Sequence, residues 1–157
     1  MTIHRQSGFT LLEGIIVMSI LAVLSAIGAP TLSESVRKRT TAGAADQFVA
    51  AHSLARATAV RFGRTAELRI SPSDKKFWIE VDTSATGINQ RAILWTTRKI
   101  EKSTGLTMNS TRTRLCFDAR GLARTSSTCE GGDAQVIFSM AGVADTVKTT
   151  VLGKVLR

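Results

Sequence analysis

The chain has 157 residues, 43% of them hydrophobic and 21% charged, with two cysteines and a formal net charge of +9. This excludes a disordered polymer and a string of domains, and leaves one small domain beside an apolar segment, with too little core to frame a large active-site cleft. A pI near 10.6 implies attraction to polyanions: nucleic acid, anionic lipid or an acidic partner.

Residues 1–8 form a short polar leader. From Phe9 to Ala29 run 21 residues with one charge, Glu13. At 1.5 Å rise per residue that helix spans roughly 31 Å, close to the hydrocarbon thickness of a bilayer. An ionisable group in such a span costs roughly 2.5–3.5 kcal/mol and calls for a partner. No Lys, Arg or His lies between Arg5 and Arg37. Cleavage before Phe9 would supply the missing cation as an α-amino group, about one helical turn from Glu13. In low dielectric the two attract strongly. Within one chain they are neighbours; between chains the pair would fix the axial register of adjacent helices. An ordinary signal anchor leaves Glu13 unexplained. A secretory signal, cut after the apolar region, fits less well. Pro30 closes the run and predicts a kink or local melting near 26–30.

Residues 31–62 read as helix. Phe48, Ala51, Ala55, Ala59 and Phe62 recur at spacings of three and four and make one apolar face, with His52 at its boundary. Gly63 is placed to end the helix as a left-handed cap. From residue 64 the period becomes two. Strands are expected at 65–70 and 76–82 about a Ser-Pro-Ser-Asp turn, then at 92–95, 106–108, 115–117, 135–140 and 146–151. Turns fall at 118–121, at the Gly-Gly pair within 126–133, and at 141–145. The fold class is α+β: a long N-terminal helix with an apolar transmembrane half and an amphipathic half, packed on an antiparallel β-sheet domain.

The run Gly8-Phe9-Thr10-Leu11-Leu12-Glu13 resembles the class III leader and cleavage site of type IV pilins and type II secretion pseudopilins. The resemblance implies that a prepilin peptidase cuts between Gly8 and Phe9 and methylates the new N-terminal Phe9. It also implies that Glu13 pairs with the N-terminus of a neighbouring subunit during assembly. Gly14 departs from the pattern, which more often has an apolar side chain there. The resulting organisation is a leader (1–8), a transmembrane and assembly helix (9–30) and a periplasmic globular domain (31–157) that includes the second half of the helix. The protein would sit in the inner membrane as a single-pass subunit and then in a pilus or pseudopilus. Arg37, Lys38 and Arg39 follow the span, whereas only His4 and Arg5 precede it. The positive-inside rule alone would reverse this orientation. In an oxidising compartment Cys116 and Cys129 are expected to pair, the alternative being two buried thiols.

Phe117-Asp118-Ala119-Arg120-Gly121 is similar to the turn of the H-type pseudopilin and minor-pilin branch. That branch implies a minor type IV pilin, with other major and minor pilins or pseudopilins as partners. Two alternatives are a type II secretion pseudopilin and a DNA-binding minor pilin of natural transformation. For DNA, the candidates are Arg120, Arg124, Lys148, Lys154 and Arg157, a basic patch if turn and tail meet. DNA-binding members carry Gly-Arg-x-Arg. Here Gly153-Lys154-Val155-Leu156-Arg157 puts the second base one residue late, on the other face of a strand. No nucleotide, metal or catalytic motif is present, and no cofactor or enzymatic activity is expected. His52 and Ser53 are adjacent on a helix and cannot face each other as base and nucleophile.

Overall fold

A computed structural model describes residues 9–83, 91–97, 100, 105–125, 129–130, 133–150, 152 and 154–157, with only the backbone path at 29 and 30. The leader with Gly8, most of the loop after residue 82 and the Gly-Gly turn lie outside the described residues. The chain divides into two compact units, Met1–Val36 and Arg37–Arg157.

One helix, α1 (Leu11–Phe62), begins in the first unit and ends in the second. It is helical through residue 30, so the melting expected there does not occur. Hydroxyl groups in the apolar half find carbonyls of their own helix: Ser19 Oγ donates to Ile15 O at 2.8 Å, and Thr31 Oγ1 to Gly28 O at 2.8 Å. Gly63, at φ 62°, ends α1. Its N–H donates to Val60 O and the Arg64 N–H to Ala59 O, the paired bonds of a Schellman motif.

The second unit holds two antiparallel sheets rather than the single sheet expected. Strands β1 (Ala66–Ser71), β2 (Lys76–Asp82), β3 (Arg91–Thr96), β5 (Arg114–Phe117) and β6 (Ala123–Arg124) form the first, in the order β3-β2-β1-β5-β6. Strands β4 (Leu106–Ser110), β7 (Ala134–Met140), β8 (Val143–Thr149) and β9 (Val155–Leu156) form the second, in the order β4-β7-β8-β9. β8 starts three residues before its expected position. Ala141 and Gly142 both have positive φ (46° and 87°), so two residues suffice for the β7–β8 reversal. β2 and β3 shift register between Ile79 and Glu80, a bulge that leaves Leu94 without a partner.

Alternation sends Ala66, Leu68, Ile70, Phe77, Ile79 and Val81 inward, all buried. Against them α1 sets Ala44, Ala45, Phe48, Ala51, Ala55 and Ala59, also buried. The alanines let the helix approach closely, and Phe48 fills the space between the sheets. Its ring meets Phe77 edge-on at 5.5 Å and Phe138 at 6.3 Å. Two expectations for this face fail. Phe62, the last helical residue, is half exposed beneath the Arg61 guanidinium instead of in the core. His52 is not a boundary residue but is fully buried, edge-on to Phe117 at 5.0 Å.

Candidate functional site

The N-terminal site is built by a helix start. The Thr10 carbonyl accepts the Gly14 N–H at 3.2 Å, and Thr10 Oγ1 accepts the Glu13 N–H at 3.3 Å. Thr10 is therefore the N-cap and Glu13 the third helical residue, the spacing of a capping box. Glu13 gains twice from this place: its charge lies in the first turn, where the helix dipole favours an anion, and it stands four residues from Phe9. The T-x-x-E signal was present in the sequence but was read only as part of a cleavage motif. Phe9, Leu11 and Leu12 are strongly exposed, and no described residue in the apolar stretch of α1, which is long enough to cross a membrane, is buried. A Cβ at Gly14 would meet nothing within 4 Å. With Ser19 and Ala22, Gly14 leaves a shallow groove bordered by Leu11, Ile15 and Met18.

A second constellation lies at the β5–β6 turn. Asp118 Oδ1 accepts the backbone N–H groups of Arg120 (2.9 Å) and Leu122 (3.0 Å), and Gly121 N–H returns to Asp118 O at 2.8 Å. The Leu122 N–H, then the Arg120 side chain, hold the Asp118 carboxyl below the ordinary aspartate range. Gly121 has φ 75°, and a Cβ there would lie 3.1 Å from Val60 of α1. Its carbonyl accepts Arg56 Nε at 2.9 Å. Only glycine meets both the turn and the contact. Cys116 and Cys129 form a disulfide. A closed loop of that size contributes roughly 3 kcal/mol by restricting the unfolded chain. Both sulfurs lie within 4.8 Å of a Glu67 carboxylate oxygen, but the S–S bond removes the thiolates a metal would need.

Two family descriptions match. The prokaryotic N-terminal methylation motif covers residues 3–29, and the type II transport protein GspH covers residues 44–151. The chain belongs to the GspH family. No characterised protein sequence matches significantly. Among solved structures, the type IV minor pilin FimU of Pseudomonas aeruginosa is similar at a TM-score of 0.57 and 17% identity, over 74% of this chain and 86% of that one. The minor pseudopilin EpsH of the Vibrio cholerae type 2 secretion system gives 0.54 and 13%, over 74% and 94%. At such identities the likeness concerns the fold, and it agrees with the architecture above. This GspH-family chain is a minor pilin or pseudopilin-like subunit, and its family and fold are those of structural subunits.

The five basic residues proposed for DNA do not form one free patch in this GspH-family domain. Arg120 is tied to Asp118, with Nε and Nη2 at 3.1 and 3.0 Å from Oδ2. Arg157 bridges Asp145 (2.6 Å), Asp46 and the Ala42 carbonyl, which clamps the tail to α1. The Asp145 hydrogen bond leads the effects that raise its pKa further. Arg124 belongs to the first sheet, whereas Lys148 and Lys154 lie in or beside the last strands of the second. A different basic group went unread in the sequence. On the face of the first sheet turned from α1, Arg69, Arg91 and Arg114 surround buried Glu67, with Arg91 Nη1 at 2.5 Å. The alternation of β1 placed Glu67 and Arg69 on one side, and there the three guanidinium groups and the Cys116–Cys129 disulfide crowd the buried Glu67 carboxylate.

Proposed function

We propose that the chain is made as a precursor, cut between Gly8 and Phe9 by prepilin peptidase and methylated at Phe9. The apolar half of α1 then holds it in the inner membrane with the globular unit in the periplasm. From there it enters a type IV pilus as a minor subunit, or primes the fibre, among other pilins. The observation that carries this reading is an apolar helix half in which no described residue is buried, with one carboxylate at its capped start. Lipid covers that surface first. Equivalent helices of other subunits cover it in the fibre, and the groove at Gly14 gives one of them a close seat. The free amine at Phe9 balances Glu13 of a neighbour and sets the axial register.

Mass spectrometry of the native protein tests the first step, with a methylated chain beginning at Phe9 as the expected result. Glu13→Ala tests the second. Processing stays intact, and the amount recovered in sheared fibres falls at least about tenfold, as for loss of a desolvated ion pair. Normal fibre entry by this variant would remove the register role. A type II secretion pseudopilin is the second reading, supported by the GspH description and the EpsH fold. Deleting the gene separates the two: loss of surface fibres supports a pilus, and loss of exported enzyme supports a secretion system.

A further inference from the structure

The outward face of the docked half of α1 lacks what a solvated helix face normally carries. Between Asp46 and Glu67 the chain has no acidic residue, so no pairs of opposite charge clothe this stretch. Ala50, Ser53, Ala57 and Val60 recur at spacings of three and four and are all exposed, with Leu54 beside them. Val60 is 54% and Leu54 42% exposed. The β5–β6 turn extends the strip: a Cβ at Gly121 would lie 3.1 Å from Val60, and the next residue, Leu122, is 39% exposed. Cations border it. Arg61 is exposed, with its guanidinium 5.9 Å from the Phe62 ring centre. Arg56 donates to the Gly121 carbonyl at 2.9 Å, and the Arg120 side chain stands 78% exposed on the turn. The acid beside them, Asp118, is already engaged by Arg120 and by two backbone N–H groups. An apolar centre without charges and a rim of arginine is the make-up of a protein–protein contact.

We propose that this strip seats a different, acidic subunit of the same fibre, one that sets an apolar surface on Leu54, Ala57 and Val60 and carboxylates against Arg61 and Arg120. The inference rests on the fibre reading above and names the chemistry of the partner. A second copy of this chain does not supply that chemistry. Seated face to face, it sets Arg56, Arg61 and Arg120 against themselves. Turned another way, it has few carboxylates to give: Asp46, Glu67, Glu80, Asp118 and Asp145 are already ion-paired with arginines of their own chain. The size of the strip points to an anchored partner. From Ala50 to Val60 it runs about 15 Å, and at a helix width of about 10 Å it offers on the order of 150 Å², against roughly 800 Å² a side in a stable complex. Such a contact holds only between molecules already brought together, as subunits whose helices share one membrane are.

The test is made in cells on the full chain, with a photocrosslinking amino acid in place of Ala57 and the adduct identified by mass spectrometry. The expected adduct joins the chain to a different protein that has an apolar N-terminal helix and a net-negative globular domain. Arg61→Glu should cut its yield about fivefold, whereas Arg61→Lys, which keeps the charge, should retain it. Reversing the partner carboxylate that faces Arg61 should restore the yield with Arg61→Glu. The same crosslinker in place of Lys148, on the second sheet, should not give this adduct. An adduct with a second copy, with a basic subunit or with a protein lacking an apolar helix overturns the proposal. So does an unchanged yield with Arg61→Glu, or an equal loss with Arg61→Lys, which would mark a folding effect rather than a charge contact. A chain that enters fibres from Phe9 yet gives no adduct from position 57 overturns this seat alone. A native chain that begins at Met1 overturns the fibre reading together with it.

Discussion

The two halves of α1 solve one problem in opposite ways. In the second unit, the helix finds its apolar partners within its own chain: alanines admit the sheets and Phe48 fills the gap between them. In the first, residues such as Leu11, Met18, Leu24 and Ile27 stay exposed, and among the described residues of that unit no other element covers them. A globular protein does not keep so large an apolar surface in water. The folded domain thus finds its apolar partners within itself, whereas the apolar half calls for cover from outside the chain.

The sharpest contrast comes from one truncation in each half. Phe48→Ala should cost the domain about 3–5 kcal/mol, by lost burial and the cavity left behind. Leu24→Ala should leave domain unfolding in detergent unchanged. Comparable losses from both, in denaturant titrations read by near-ultraviolet circular dichroism, would show that the halves are not independent. The next effect belongs to the docked half alone. Burial first, then the Arg56 charge, lowers the His52 pKa to about 4. The unfolded chain, with an ordinary histidine, binds the proton first as pH falls. Stability from this group is therefore full above about pH 6.5 and is lost progressively towards pH 4, by about 3 kcal/mol in all. His52→Gln should remove that component from the curve of stability against pH. An unchanged curve would mean that His52 takes up its proton as readily in the fold as in the unfolded chain. The smallest effect is expected at the clamp. Arg157→Gln should cost under about 1 kcal/mol, because Asp46 is 67% exposed and water screens the pair. A larger loss in thermal melting would make the tail a structural strut.

The apolar run, the amphipathic stripe, the Gly63 stop and the β1–β2 hairpin were legible because each is a local pattern with one period. Phe62 obeyed the helical period yet stands half exposed, since α1 ends there and periodicity does not say how far the sheets extend. His52 is polar by type, and residues far along the chain, the ring of Phe117 at 65 positions with Leu115 and Ala123, make its site apolar. The second sheet was hidden because the alternation within a strand does not specify its neighbours. The five basic residues make one patch only if the turn with Arg120 and Arg124 meets the tail with Lys148, Lys154 and Arg157. Arg157 was paired by aspartates 12 and 111 positions away, and the cationic face formed instead across β1, β3 and β5. The N-terminal motif was the most legible part, being contained in six consecutive residues within the matched methylation motif.

β3 forms one border of its sheet and exposes Ile93 and Leu94 there. Such a border invites another chain to join laterally, most of all among copies crowded in one membrane. The extra residue opposite Ile79 and Glu80 distorts the ladder beside that border and spoils the flat template a stray strand would need. Lateral pairing of a stray strand with this border is thereby discouraged.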